Sequence, residues 1–295
     1  MPTVFLGTSE FAAAVLRRLA DSQHRPALVV TRPDRARGRG RRLASPPVAD
    51  TARELGIELD QPASVNDESA RARISAVRPE AVCVCAFGAL IKEPLLSEHQ
   101  LLNVHPSLLP RWRGAAPIER AIIAGDPHTG VSIMRLTAGL DSGPVCLQAP
   151  EAIDPQDTYG TLAPRLQELG GELLIRALDE NPQCAEQDES LATYAEKLTA
   201  GDRLLDPGRP AAELERVVRA LTPHIGAQLL LPSGALLGVR EARAIAGADT
   251  NQGVVSFTGP RPVLGCAEGA LELVVVQPPG KRTMSGEAYL RGRRE

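Results

Sequence analysis

An asparagine, a histidine and an aspartate stand where predicted strands run into loops. Asn103 and His105 alternate along the short apolar run Leu101–His105, so a strand there would point both side chains to one face. Asp141 follows the next predicted strand, in a glycine-rich turn at 139–143. The amide and a protonated imidazole could both donate to a tetrahedral oxyanion, and the carboxylate could keep the imidazole charged and oriented. This trio suits acyl or formyl transfer to a nitrogen, with His105 or a water moving the proton.

A plainer explanation exists for each of these residues taken singly. His105 could be a histidine whose hydrogen bonds are satisfied inside a sheet. Asp141 could simply cap a turn. The combination of the three, together with the sequence around them, favours the catalytic interpretation.

The sequence around the trio resembles the signature of the folate-dependent formyltransferases. The letters that carry the resemblance are NVHPSLLPRWRG at 103–114 and GLDSG at 139–143. It implies that Asn103, His105 and Asp141 are the catalytic residues. It also implies a site for 10-formyltetrahydrofolate, the formyl donor, bordered by Ser107, Leu108, Leu109 and Pro110 and walled by Phe87 and Gly88. No metal is expected, because two donors can stabilise the single oxyanion that develops.

Within that family, the extended letters WRGAAPI at 112–118 are most similar to the enzymes that formylate methionyl initiator tRNA for translation initiation. Two alternatives stay open. A formyltransferase of the same fold could act on a sugar-nucleotide or purine-precursor amine, since such enzymes share the trio. An RNA-binding protein on the same scaffold could lack activity. The arginine-rich loop and the C-terminal domain argue against the first alternative, and the intact trio argues against the second.

A dense arginine cluster follows the second predicted strand. Residues 31–42 hold six arginines, one acidic residue and two glycines, in a chain of formal net charge −3. A solvated, mobile loop is one interpretation, but arginine forks also match phosphate oxygens well. The resemblance implies a loop that faces tRNA, with Arg39 functionally critical, and basic residues near the C-terminus would extend the phosphate-binding surface. The predicted tRNA contacts are Arg35, Arg37, Arg39, Arg41, Arg42, Lys281 and Arg282.

The order of the predicted elements indicates an α/β domain followed by a small β domain. Strands and helices alternate over the first part of the chain, which predicts a Rossmann-like, mainly parallel sheet. Gly7 stands alone where a dinucleotide site would need several glycines, so such a site is unsupported. Five short alternating runs predict an OB-like β-barrel. The expected boundaries are 1–198 for the formyltransferase catalytic domain, 199–210 for a linker and 211–295 for an OB-like tRNA-binding domain.

Composition restricts the class of protein and its compartment. A chain of 295 residues, 43% of them hydrophobic, is long enough for two domains with buried cores. The five cysteines form no C-x-x-C pair, so we expect buried, reduced thiols. No signal-peptide pattern and no apolar run of membrane-spanning length is present. We therefore expect a cytoplasmic monomer whose partners are folate and initiator methionyl-tRNA, without membrane contact.

Overall fold

The computed structural model describes residues 2–37, 42–246 and 250–292. Its strands are β1 (Thr3–Gly7), β2 (Pro26–Val30), β3 (Arg35–Arg37), β4 (Arg42–Ala44), β5 (Glu58–Asp60), β6 (Ala81–Cys85), β7 (Leu101–His105), β8 (Arg113–Gly114), β9 (His128–Arg135), β10 (Val145–Ala152), β11 (Tyr194–Ala195), β12 (Ala227–Leu230), β13 (Leu236–Ile245), β14 (Val255–Ser256), β15 (Val263–Gly265), β16 (Ala270–Gln277) and β17 (Met284–Ser285). Its α-helices are α1 (Glu10–Ala20), α2 (Pro47–Glu54), α3 (Glu68–Ala76), α4 (Leu95–Glu98), α5 (Pro117–Ala124), α6 (Tyr159–Glu180), α7 (Ala211–Leu221) and α8 (Gly286–Arg291).

These elements form two compact units, each built from several stretches of chain. The first unit comprises the residues up to Gly114, Thr129–Glu151 and Ala163–Tyr194. The second unit comprises Ala115–His128, Ala152–Leu162 and the chain from Ala195 onward. The domain boundaries expected from the sequence stay a prediction.

Among the described residues, the first unit is built around a seven-stranded sheet of order β10-β9-β7-β6-β1-β2-β5. β1 pairs in parallel with β2 and with β6, and β6 pairs in parallel with β7. β2 pairs in parallel with β5, while β7 pairs antiparallel with β9. The Rossmann-like, mainly parallel sheet predicted from the sequence is therefore confirmed.

The central strands of this sheet are apolar because they are buried on both faces. All residues of β1, β6 and β7 are buried, as expected for parallel strands inside a covered sheet. Each fully buried aliphatic or aromatic side chain, such as Phe5 or Leu6, contributes about 1.5–3 kcal/mol relative to an exposed one. α1 begins after Ser9, whose Oγ accepts a hydrogen bond from the Ala12 N–H and so caps the helix. β7 is thus a rigid support for the side chains at its carboxyl end.

The long helix α6 packs closely on β7 at Gly170 and on α1 at Gly171. A Cβ at Gly170 would lie 3.0 Å from Val104 Cγ1, and one at Gly171 would lie 2.6 Å from Arg18 Cγ. The helix runs without a break from Tyr159 to Glu180 in spite of these glycines. Close packing offsets the low helix propensity of glycine and fixes the strand that carries the two predicted donors.

The second unit contains an antiparallel sheet of order β12-β13-β16-β15-β14, with β17 paired to β16. The buried residues of α7 recur at the three- to four-residue spacing of an amphipathic helix. They share one hydrophobic core with residues of the strands, including Leu229, Leu237 and Leu271. The OB-like domain predicted for the C-terminal part is confirmed as an antiparallel β domain. β17 and α8 were not predicted.

The arginine-rich segment contains a β-hairpin. Within the loop expected over residues 31–42, β3 and β4 form an antiparallel hairpin that pairs Arg35 with Ala44 and Ala36 with Leu43. The alternation of arginine with small or apolar residues on both sides of the glycines is compatible with a hairpin. The tip, residues 38–41, lies outside the described residues, and so do the predicted contacts Arg39 and Arg41.

The cysteines also differ from expectation. Cys146 and Cys184 are joined in a disulfide, whereas all five cysteines were expected to be reduced. Val145 and Ala185 form an isolated antiparallel bridge, which brings the two neighbouring cysteines opposite each other. The other three cysteines are buried and free. Burial raises the pKa of the Cys83 thiol to about 12, so this group stays protonated at neutral pH.

Candidate active site

β7 and the turn between β9 and β10 bring the predicted catalytic residues together in the first unit. Asn103 and His105 are buried, 8% and 4% exposed, at alternate positions of β7. Asp141 lies in the turn that follows β9, and its Oδ2 is 3.7 Å from His105 Nδ1. This is ion-pair distance, so a protonated His105 would be stabilised by the carboxylate.

The backbone of the segment around β8 orients both members of this pair. His105 Nε2 lies 2.9 Å from the Trp112 carbonyl oxygen, so this nitrogen carries a proton and donates it. The Gly114 N–H donates to Asp141 Oδ2 at 2.9 Å. The imidazole is therefore turned with Nδ1 toward Asp141 and Nε2 toward the chain two residues before Gly114.

Positive backbone φ angles occur at three non-glycine residues of this region. The angles are 40° at Ala86, 65° at Trp112 and 46° at Asp141. Residues with a side chain avoid this left-handed conformation, which costs about 1–3 kcal/mol unless surrounding contacts impose it. Their concentration around Asn103 and His105 is typical of a functional site.

The Asn103 amide is a donor without a partner among the described residues. Within the part of the chain that the structure describes, no hydrogen bond engages its side chain. Buried polar groups normally have partners, so a donor left open at a strand end is suited to a bound oxygen atom. Asn103 can therefore donate to an oxyanion without first breaking a bond to the protein.

The loop at 107–110, predicted to border the folate site, is held by hydrogen bonds to the Ser132 hydroxyl and the Gln148 amide. Ser132 Oγ donates to the Ser107 carbonyl at 2.6 Å and accepts from the Leu109 N–H at 3.1 Å. Gln148 Nε2 donates to Ser132 Oγ and to the Leu109 carbonyl, each at 2.8 Å. A Cβ at Gly130 would lie 2.6 Å from a Leu108 methyl group, so Leu108 packs directly on β9. The ring of Pro110, the remaining residue of this loop, is half-buried.

The turn at Phe87 and Gly88 presents backbone rather than an aromatic face. The Phe87 ring is 5% exposed and packs in the core of the first unit. Thr8 Oγ1 donates to the Phe87 carbonyl at 2.6 Å, and Arg32 Nη1 donates to the Gly88 carbonyl at 3.1 Å. The turn borders a cavity of about 480 Å³ whose lining includes Thr31, Arg32, Arg35, Asn66, Phe87 and Lys92. Three cationic side chains give this cavity a positive charge.

Two family models match the chain. "Formyl transferase" matches residues 1–178, and "Formyl transferase, C-terminal domain" matches residues 197–294. The chain belongs to the formyl transferase family.

Curated relatives share this family over their whole length. The methionyl-tRNA formyltransferase of Dechloromonas aromatica is 40% identical over 295 residues, which cover 99% of this chain and 96% of the relative. That of Methylococcus capsulatus is 42% identical over 300 residues, which cover 98% and 96%.

Solved structures show the same fold. HypX from Aquifex aeolicus in complex with tetrahydrofolic acid superposes with a TM-score of 0.67 at 16% identity and covers 98% of this chain. This chain spans only 46% of the HypX chain, and at such low identity the likeness concerns the fold alone.

Sequence reasoning missed two side chains that support the Asp141 turn of this formyl transferase. Arg113 belongs to the motif at 103–114 but had no assigned role, and it is buried, with 2% exposed. It pairs with the Glu189 carboxylate at 2.7 Å, which raises the pKa of the guanidinium and lowers that of the carboxyl. Gln187 bonds both to Arg113 and to the turn. Only Arg113 could have been found from the sequence, because it belongs to the motif. Its partners Gln187 and Glu189 lie more than seventy residues further on, where no pattern marks them.

The predicted tRNA contacts that are described lie in both units of the formyl transferase. Arg35 is exposed on β3 of the first unit, and Lys281 and Arg282 are exposed in the second unit. Arg37 and Arg42 end the two strands of the hairpin, and their side chains lie outside the described residues. The assignment of all these residues to tRNA stays a prediction.

Over residues 2–37, 42–246 and 250–292, no group of three or more His, Cys, Asp or Glu side chains could hold a metal ion. Over the same ranges, no helix combines the length and apolar character needed to cross a membrane.

The Ser132 hydroxyl, which bonds to the 107–110 loop, leads to a prediction on stability. Ser132→Ala should lower the free energy of unfolding by about 1–3 kcal/mol, because the buried Ser107 carbonyl and Leu109 N–H lose a partner. Folate affinity should fall as well, since the loop is released. Urea unfolding and a folate titration measure the two effects.

Ser22→Ala is the control for this substitution. The Ser22 hydroxyl bonds to the Leu19 carbonyl at the end of α1, so its loss should leave folate affinity unchanged. A Ser132→Ala protein that is less stable but binds folate normally would remove the 107–110 loop from the folate site.

Proposed function

We propose that this chain transfers a formyl group from 10-formyltetrahydrofolate to the amino group of methionyl initiator tRNA, in the cytoplasm, for translation initiation. The observation that carries the proposal is the contact between His105 and Asp141 beside the open amide of Asn103. This geometry occurs in a chain about 40% identical, from end to end, to methionyl-tRNA formyltransferases. Residues 1–198 carry out the catalysis, 199–210 form the linker, and 211–295 bind tRNA.

The reaction needs one oxyanion to be stabilised and one proton to be moved. The neutral amine attacks the formyl carbon, and the carbonyl oxygen becomes an oxyanion that the Asn103 amide stabilises as a fixed donor. His105, oriented by Asp141, exchanges its bond to the Trp112 carbonyl for the substrate and adds the second donor. The proton of the attacking amine passes through His105 or a water to the folate nitrogen as it leaves.

Two loops at neighbouring strand ends support a site for the formyl donor. β6 and β7 pair in parallel, so their carboxyl ends open on the same edge of the sheet, where α/β folds bind ligands. The turn at 87–88 and the loop at 107–110 follow these strands and are both held by hydrogen bonds from neighbouring side chains. HypX, with the same fold, was solved with tetrahydrofolic acid. We assign the corresponding loops here to 10-formyltetrahydrofolate.

Exposed cationic residues support a tRNA acceptor rather than a small amine. The Arg35 side chain is exposed and lines the cavity of about 480 Å³, together with Arg32 and Lys92. The phosphates of a tRNA end would be attracted by this positive charge. Lys281 and Arg282 add exposed positive charge on the second unit.

A panel of acceptors tests this proposal. Labelled 10-formyltetrahydrofolate is mixed with the protein and with charged initiator tRNA, charged elongator tRNA, free methionine or an amino-sugar nucleotide. Formyl transfer should be fastest to charged initiator tRNA. Faster transfer to the sugar nucleotide would instead assign the chain to the small-substrate members of the fold.

The charge of Arg35 provides a prediction on tRNA binding. Arg35→Ala should raise the KM for charged tRNA and reduce the slope of log(kcat/KM) against log salt by about 0.7–0.9, the value for one lost phosphate contact. Folate affinity should not change. Steady-state kinetics over a range of salt concentrations measure the slope, and a folate titration measures the affinity.

Arg176→Ala serves as the control, because Arg176 is an exposed arginine on α6 that pairs with Glu180. It should keep the wild-type salt slope. If Arg35→Ala also keeps it, Arg35 does not contact a tRNA phosphate, and a loss of folate affinity would assign the residue to the donor instead.

A further inference from the structure

Asp141 occupies a backbone conformation that its own residue type does not favour. Its φ is 46°, in the left-handed region, which glycine adopts far more readily. The carboxylate must stay there to face His105, because its Oδ2 accepts from the Gly114 N–H at the same time. Contacts from outside the turn therefore have to hold this conformation.

One side-chain amide supplies those contacts. Gln187 Nε2 donates to the Asp141 carbonyl at 2.8 Å and to the Gly143 carbonyl at 2.7 Å. Both hydrogens of the amide are thus used on two carbonyls of the same turn, which fixes the direction of its peptide groups. A Cβ at Gly143 would lie 1.9 Å from the Arg135 carbonyl oxygen, so the turn also closes tightly on the end of β9.

A buried arginine orients the amide. Gln187 Oε1 accepts from Arg113 Nε at 3.0 Å and from Nη2 at 2.9 Å, so the amide oxygen faces the guanidinium and the nitrogen must face the turn. The guanidinium is itself fixed by two bonds to the Glu189 carboxylate, at 2.8 and 2.7 Å. These bonds fix the orientation of the Arg113 side chain and, through it, the orientation of the Gln187 amide.

The hydrogen bonds form a closed set of connections around His105 and Asp141. Arg113 stands between Trp112, whose carbonyl binds His105, and Gly114, whose N–H binds Asp141. Its side chain reaches the other side of Asp141 through Gln187. The segment that carries Gln187 is joined to β10 by the Cys146–Cys184 disulfide and by the neighbouring backbone bridge between Val145 and Ala185.

We propose that Gln187, oriented by Arg113, is a positioning residue that holds the Asp141 turn in the conformation required for catalysis. This inference rests on the proposed function and deepens it. Gln187 does not touch the reacting atoms and acts through Asp141.

Gln187→Glu keeps the hydrogen bonds that the side chain accepts and removes those that it donates. The carboxylate can still accept from Arg113, but it cannot donate, and it places negative charge against the two turn carbonyls. kcat for formyl transfer should fall about ten- to a hundredfold, as expected when a catalytic group is displaced by a fraction of an ångström to an ångström. The KM for charged tRNA and for 10-formyltetrahydrofolate should stay within about twofold, because neither binding loop is touched.

Two further variants secure the test. Gln183→Glu makes the same chemical change at an exposed position of the same segment and should behave as wild type. If Gln187→Glu does not fold, Gln187→Ala removes the same two donated bonds without adding charge and should show the same fall in kcat at unchanged KM.

A double-mutant cycle distinguishes positioning from general damage to the fold. In the background of Asp141→Asn, Gln187→Glu should have little further effect, because the group that it positions is already disabled. Effects that multiply in full, or a Gln187→Glu protein with wild-type kcat, would overturn the inference. Absence of formyl transfer by the wild-type protein would instead overturn the proposed function.

Discussion

Asn103→Ala should lower kcat for formyl transfer about a hundredfold or more while the protein still folds and binds folate. Asn103 lies on a rigid, buried strand, and within the described residues no hydrogen bond uses its amide. A donor fixed in this way stabilises the transition state more than the ground state, since the charge on the oxygen develops only during the reaction. The loss should therefore appear in kcat and not in either KM.

Asn103→Asp keeps the shape of the side chain and removes the donor. It should be at least as slow as the alanine variant, because a carboxylate at this position repels the oxyanion. Single-turnover rates, thermal unfolding and a folate titration on both variants distinguish lost catalysis from lost binding. Turnover close to wild type in the alanine variant would remove Asn103 from the mechanism.

Asp141→Asn should also lower kcat about a hundredfold or more, because His105 loses the charge that stabilises its protonated form. The substituted amide can still accept from the Gly114 N–H through its oxygen, so the turn itself should persist. The change thus removes one negative charge at 3.7 Å from the imidazole and little else. Formylation rates measured over a range of pH give both the size of the loss and any change in the profile.

Asp50→Asn is the matched control for this charge. Asp50 is an exposed carboxylate that pairs with Arg53 on α2, so its loss should leave kcat and the pH profile unchanged. An Asp141→Asn protein with wild-type kcat and an unchanged profile would show that the carboxylate does not act on His105.

Features that depend on local pattern could be predicted from the sequence. β7 has the predicted bounds, Leu101–His105, because a short apolar run is read over neighbouring residues. The contact between His105 and Asp141 could also be anticipated, since both residues follow strands of one sheet.

Features that depend on distant pairing could not be predicted. Gln187 lies 74 positions after Arg113 and 46 positions after Asp141, and nothing near it in the sequence marks it as polar support for a turn. The disulfide pairs cysteines 38 positions apart through a bridge formed by just two residues. The Phe87 ring packs in the core, because the direction of a side chain in a turn depends on tertiary contacts, and the place of this turn in the folate site stays a prediction.

The most direct test of the account is single-turnover transfer of a labelled formyl group. Wild-type protein in excess is mixed with labelled 10-formyltetrahydrofolate and methionyl initiator tRNA, and the tRNA is then deacylated to recover its amino acid. The account predicts that the label appears in N-formylmethionine, rapidly with the wild type and about a hundredfold or more slowly with Asn103→Ala. Wild-type protein that binds folate and is given fully charged tRNA, yet leaves methionine unlabelled, would contradict it.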